Sequence, residues 1–222
     1  MIATSSIFPA RRVRILVPAL LAAIAWLAVL LQLYLSVVRA LGNGKSAIDG
    51  IVVYLGFFTV LTNIFVALVA SAGALGKGDP AASRWYRPPV VGCATTAILL
   101  VGIVYHFVLR HVWSPQGAQW VADALLHYVV PAGALLHWLA YREAGRIGWP
   151  APLAWCIYPA AYFAYALARG AILGSYPYSF VNAATLGYPR VLANALGLLA
   201  GFLILGYAVV GVARLMAGGR AR

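Results

Sequence analysis

Six apolar runs, each long enough to cross a bilayer, leave this chain few ways to fold. They lie at about 15–38, 50–75, 89–109, 118–141, 152–173 and 189–215. A spanning helix needs about 20 consecutive apolar residues. Between the runs stand segments of loop chemistry: "GNGKSAIDG" (Gly42–Gly50), "GKGDPAASRWYRPP" (Gly76–Pro89) and "GSYPYSF" (Gly174–Phe180). Pro89, Pro152 and Pro189 suit the first turn of a helix, where no backbone N–H is needed. Pro131 and Pro159 fall inside runs, where each removes a backbone hydrogen bond and favours a kink. The expected architecture is all-α: one polytopic domain over 1–222 with six transmembrane helices.

Composition agrees. The chain is 64% hydrophobic and 9% charged, against about 25% charged residues in soluble domains. The first run, from Ile15 to about Val38, exceeds the roughly 7–15 residues of a signal-peptide core and reads as a retained helix. The net charge of +12 does not indicate nucleic acid as a partner, because the basic residues are scattered at helix ends. They set orientation instead. Arg11, Arg12, Arg14, Lys77, Arg84, Arg87, Arg142, Arg146, Arg214, Arg220 and Arg222 fall on one side. Arg39, Lys45, Arg110, Arg169 and Arg190 fall on the other. The larger set marks the cytoplasm and places both termini there. Trp113, Trp120, Tyr176, Tyr178 and Tyr188 then form an outer aromatic belt, and Trp85, Tyr86, Trp138, Tyr141 and Trp149 an inner one. Cys93 and Cys156 lack metal-type spacing and read as small packing residues.

Polar side chains inside the runs carry the functional signal. Thr59/Asn63, His106/Arg110, Asp123/His127, Tyr165/Arg169 and Arg190/Asn194 are spaced four apart, so each pair shares a helix face. An ionisable group within a membrane helix costs roughly 2.5–3.5 kcal/mol on insertion scales and usually faces the bundle interior. Five pairs in the outer halves of five helices suggest one polar chamber. Thr59 and His127 each lie about nine residues, or roughly 13 Å, below the outer end of their helices. At matched depth, Thr59 is a candidate nucleophile and His127 its base. A hydroxyl is a weak nucleophile without one. Asp123, one turn above His127, can orient the imidazole as the third member of a triad does. Asn63 can donate to an oxyanion.

Other readings of the same residues stay open. Thr59 can bond to its own backbone, and Thr62, on another face, is a rival nucleophile. Asn63 can bridge two helices. Asp123 can pair with Arg110 or Arg169, and both arginines can snorkel to an interface. His106 is either a member of the network or a core residue, while His111 and His137 sit near interfaces.

Four segments resemble a known family. "FFTVLTN" (Phe57–Asn63), "DALLHYVVP" (Asp123–Pro131), "ARG" (Ala168–Gly170) and "YPYSF" (Tyr176–Phe180) resemble bacterial six-helix membrane proteins of the Pr-six-Pr family. That family is similar to the animal androgen-induced and androgen-dependent membrane proteins, which are threonine hydrolases of fatty acid esters of hydroxy fatty acids. The resemblance implies that Thr59 and His127 are the catalytic pair, that the partners are membrane lipid and a lipid-ester substrate, and that the protein resides in a bacterial inner (plasma) membrane. The His-to-Pro interval is one residue shorter than in the animal proteins, and Asp123 stands where they carry a neutral amide.

Three functions remain. The first is an intramembrane hydrolase of lipid esters that needs no cofactor or metal, with Arg169 or Arg190 available to pair with a carboxylate. The second is a non-enzymatic lipid or small-molecule transporter or binding protein, which proline-interrupted helices also fit. The third is a haem or metal protein using His106, His127 and Asp123.

Overall fold

The computed structural model describes residues 10–76, 80–141 and 146–219. These residues are all-helical, with no strand among them. The elements are α1 (Ala10–Gly42), α2 (Ala47–Leu55), α3 (Phe58–Leu75), α4 (Pro80–Trp85), α5 (Pro88–Val104), α6 (Ala118–Ala124), α7 (Val130–Ala140), α8 (Ala151–Trp155), α9 (Ile157–Leu173) and α10 (Ala183–Gly219). Among the described residues, five helical stretches are long and apolar enough to cross a membrane: Ile15–Gly42, Phe58–Leu75, Pro88–Leu109, Ala151–Leu173 and Ala183–Gly218. The expected fourth span is also helical, from α6 through α7. It carries Gln119, Asp123, His127 and His137 and is not one of the five. Lys77, Arg142, Arg220 and Arg222, which entered the orientation argument, lie outside the described residues.

The packing is that of a body in lipid. Small side chains fill the helix contacts: Ala25, Ala28, Ala67 and Ala97 are all fully buried. Large ones point outward, with Leu20, Leu27, Leu196, Ile204 and Leu215 exposed. Lipid tails are as apolar as leucine, so no hydrophobic force drives leucines inward; small residues let the backbones approach closely. α1 packs on α2 and α3, α3 on α5, and α5 on both α7 and α10.

Four of the expected helices are interrupted, the fifth at Cys156 between α8 and α9, and the interruptions of the second, third and fourth position the site. The second breaks at Gly56 and Phe57, between α2 and α3. Phe57 has an extended backbone and gives α3 no side-chain cap. The third and fourth each contain a π-helical turn, Tyr105–Leu109 and Leu125–Val129. In each the backbone bond reaches back five residues: Arg110 N–H donates to the Tyr105 carbonyl at 2.8 Å and Val130 N–H to the Leu125 carbonyl. Such turns rotate the following side chains away from the ordinary helical register and are frequent at functional sites. The sixth helix takes its true course only after Gly187, whose φ of 73° breaks the helical path just before Pro189.

Candidate functional site

α3 begins in the middle of an apolar run, so the break exposes backbone groups on both sides. The last carbonyls of α2 have no helical partner, and lipid offers them none. One face of α9 supplies partners. Tyr162 Oη donates to the Gly56 carbonyl at 3.0 Å, Tyr165 Oη to the Leu55 carbonyl at 3.3 Å, and Arg169 Nη2 to the Val52 carbonyl at 3.2 Å. These residues are spaced three and four apart, one stripe along α9. The Tyr165/Arg169 pair thus binds the open end of α2. Arg169 is buried, and its Nε has no partner.

On the other side of the break, Thr59 N–H donates to Tyr178 Oη at 3.3 Å, and Thr59 Oγ1 lies 3.4 Å from the same oxygen. Tyr178 was expected in the outer belt. The loop of residues 174–182 turns its ring inward instead, edge-on to Phe57 at 5.6 Å and stacked on Phe180 at 5.0 Å. Arg169 Nη1 holds that loop by the Ser175 carbonyl at 3.0 Å, and Asn194 Nδ2 holds it by the Phe180 carbonyl at 2.9 Å. Gly170 makes the close approach possible. A Cβ there would run into the Tyr176 ring.

Thr59 and Tyr178 line a cavity of about 250 Å³ between α3, α5, α9, α10 and the loop. Its wall is otherwise apolar, from residues such as Leu100, Val104, Phe163, Leu196 and Leu199, with Tyr162 as the one further polar side chain. Drug-sized ligand pockets run roughly 300–1,000 Å³, so this one takes part of an acyl chain rather than a whole lipid.

A second polar group sits on the π turns. His127 Nδ1 lies 2.9 Å from the Asp123 carbonyl oxygen and 3.4 Å from Asp123 Oδ1. Both are acceptors, so Nδ1 carries the hydrogen and Nε2 of the neutral ring is left as an acceptor. Tyr105 Oη donates to Asp123 Oδ2. The Tyr105 and His127 rings stack at 3.8 Å and 12°. Of the partners open to Asp123 in sequence, His127 is the one it meets; Tyr105 is a further partner that sequence reasoning missed.

Asn63 connects the two groups. Fully buried, it donates through Nδ2 to the Thr59 carbonyl at 2.8 Å and to the Leu126 carbonyl at 3.2 Å. Both N–H groups are therefore taken, and Asn63 bridges helices rather than offering a donor to the cavity. Its Oδ1 is buried without a partner. Thr62 faces away, hydrogen-bonded to Tyr158 Oη at 3.0 Å.

The remaining candidates lie apart. His106, Arg110, His111 and Tyr128 contact one another at the end of the third span: Arg110 Nε donates to His111 Nε2 at 2.8 Å, Arg110 Nη1 is 3.3 Å from His106 Nε2, and His106 Nδ1 is 3.3 Å from Tyr128 Oη. Arg110 is exposed, as is Arg190 at the start of the last helix. The five pairs thus form separate groups, with Thr59, Asn63, Asp123 and His127 linked through the α3–π-turn contact. Among the described residues no cluster of three His, Cys, Asp or Glu side chains is placed to hold a metal ion.

Four segments singled out in the sequence meet here. Phe57–Asn63 touches Tyr176–Phe180 through Thr59 and Tyr178, touches Asp123–Pro131 through Asn63 and Leu126, and Ala168–Gly170 holds the loop through Arg169. Comparison with family models, curated proteins and solved structures finds no match to this chain.

Proposed function

We propose that the protein is a six-span integral membrane hydrolase of lipid esters, with both termini cytoplasmic, in a bacterial inner membrane. The observation that carries this reading is a hydroxyl, Thr59 Oγ1, at the wall of an apolar cavity, tied through Asn63 to the helix that bears an oriented histidine. The resemblance to the Pr-six-Pr family points to the same two residues.

The acyl chain occupies the cavity and brings its ester carbonyl to Thr59. Thr59 Oγ1 exchanges its contact with Tyr178 for one with His127 Nε2. Catalytic hydrogen bonds are often loose before substrate arrives. Oγ1 attacks the carbonyl carbon while its proton passes to Nε2, and the carbonyl π pair moves onto oxygen. Collapse expels the alkoxide, which takes that proton and leaves as an alcohol. Water then attacks the acyl-threonine with His127 again accepting a proton, which returns to Thr59 as the fatty acid departs. Asp123 holds the ring with Nε2 free and offsets its charge when protonated.

The second reading is a lipid-binding or transport protein. The partner that Thr59 has in this structure, Tyr178 rather than His127, favours it. One experiment separates the two. Purified wild type and Thr59→Ala are treated with a fluorophosphonate probe and assayed on long-chain hydroxy-fatty-acid esters and nitrophenyl esters. The hydrolase reading expects labelling and turnover in wild type and neither in Thr59→Ala. Saturable lipid binding without labelling or turnover would replace it with the second reading. Reporter fusions after Arg222 test the topology, and a periplasmic signal would overturn it.

A further inference from the structure

We infer that Tyr178 is a catalytic residue, its phenol hydrogen being the donor that receives the oxyanion formed on the ester carbonyl. The inference rests on the hydrolase reading and assigns it a missing part. Attack at the carbonyl places negative charge on oxygen, and a preorganised donor in a water-poor site is usually the largest source of rate. The cavity has three polar side chains, Thr59, Tyr162 and Tyr178. Tyr162 has given its hydrogen to the Gly56 carbonyl. Asn63, one turn below the nucleophile, has given both of its hydrogens to carbonyls.

Tyr178 is in a different condition. Its oxygen accepts the Thr59 N–H at 3.3 Å, so its own hydrogen is not used in that bond. Beside it lie Thr59 Oγ1 at 3.4 Å, a long contact that is easily exchanged, and the Tyr162 hydroxyl, whose own hydrogen is committed to the Gly56 carbonyl. Accepting a hydrogen bond also polarises the phenol and makes it a better donor. When Thr59 turns to His127, the Tyr178 hydrogen is released next to the atom that attacks, where the carbonyl oxygen must arrive.

The donor is also held in place. Its ring rests between Phe57 and Phe180. Its loop is pinned three residues before it through Ser175 and two residues after it through Phe180. Arg169 and Asn194, expected from the sequence to line a polar chamber, serve to position this donor.

A merely structural role, capping the first turn of α3, needs the same hydroxyl, so the test must separate the two. Tyr178→Phe keeps the ring and its packing. A catalytic donor predicts a kcat lower by about 10²–10³-fold, as loss of one oxyanion donor produces, with KM changed little. Unchanged kcat in a protein whose Thr59→Ala variant is inactive overturns the inference and leaves the hydrolase reading standing. Full activity in Thr59→Ala, or no ester hydrolysis by wild type, overturns both. If Tyr178→Phe fails to fold, 3,5-difluorotyrosine placed at 178 decides. It retains the cap but ionises at lower pH, and an ionised phenol cannot donate. The alkaline limb of the kcat profile should then move to lower pH. An unmoved limb, with activity intact, overturns the inference.

Discussion

The break between α2 and α3 and the paired π turns both interrupt a helix beside the candidate site, but they leave different things behind. The break strips carbonyls and N–H groups of their partners. Other parts of the chain then satisfy them: Tyr162, Tyr165 and Arg169 on one side, Tyr178 on the other. The π turns keep their backbone bonds and change only where side chains point. They bring Tyr105 over His127 and within reach of Asp123. The break therefore depends on long-range polar contacts for its stability, whereas the π turns arrange chemistry at little structural cost. Substitutions on the carbonyl side of the break should be felt in stability, and substitutions at the π turns in turnover; Tyr178, on the N–H side, is the exception argued above.

The largest expected effect is at the π turns. Asp123→Asn retains shape but removes the charge that orients His127. Turnover of ester substrate should fall by up to about 10⁴-fold, the scale seen when an orienting carboxylate is lost, with a melting temperature close to wild type. A variant that instead unfolds with its turnover per folded molecule intact would erase the contrast between the two regions.

Next comes the break. Arg169→Leu removes two charge-assisted bonds, to the Val52 and Ser175 carbonyls. Each is worth roughly 1.5–3 kcal/mol, so the loss should be about 3–6 kcal/mol, measured by unfolding in mixed detergent. Wild-type stability in Arg169→Leu would show that the open end of α2 has other partners. Tyr162→Phe sharpens the same point. It leaves the Gly56 carbonyl unpaired and should cost about 1–2 kcal/mol.

Tyr105→Phe returns to the π turns at smaller scale. It removes the donor to Asp123 while keeping the ring stacked on His127. Turnover should drop about tenfold, or roughly 1.4 kcal/mol in barrier, with melting within a degree or two. A larger fall in melting than in turnover would move Tyr105 into the structural class.

The smallest effect lies at the N-terminal end of α2, outside the membrane-spanning segments. Ser46 and Asp49 form a capping box, with Ser46 Oγ 2.7 Å from Asp49 Oδ2 and the Ser46 N–H donating to the same oxygen at 2.9 Å. The side-chain bond to Ser46, then the backbone bond, hold the Asp49 carboxyl below its usual range. The folded value is the lower one. The cap is therefore present above the ordinary carboxylate range and is lost as pH falls through the depressed value. Ser46→Ala should raise the Asp49 midpoint in a carboxyl NMR titration and leave turnover alone.

Parts of this arrangement were legible in the sequence. The spacing of Asp123 and His127 put them on one face, where the structure shows them in contact. Thr62 was correctly placed on another. The break was harder to see. Gly56 lies inside the run "VVYLGFFTV", and a lone glycine in an apolar helix does not say whether the backbone bends, packs closely or opens. The role of Arg169 follows from that break, so it was hidden with it. Tyr105 was missed for a different reason. Face-sharing at every fourth residue assumes 3.6 residues per turn, and a π turn abolishes that assumption without a composition of its own. Tyr178 reads as an interfacial aromatic because its loop looks like any loop at a helix end. Only Arg169 and Asn194, from two other helices, turn it inward.

Arg169 also has a mechanical consequence. One guanidinium grips the end of α2 and the loop that walls the cavity, through Val52 and Ser175. While both grips hold, the loop cannot shift without drawing the end of α2 along. Two segments more than a hundred residues apart in sequence are thereby yoked, and a disturbance at either is passed to the other.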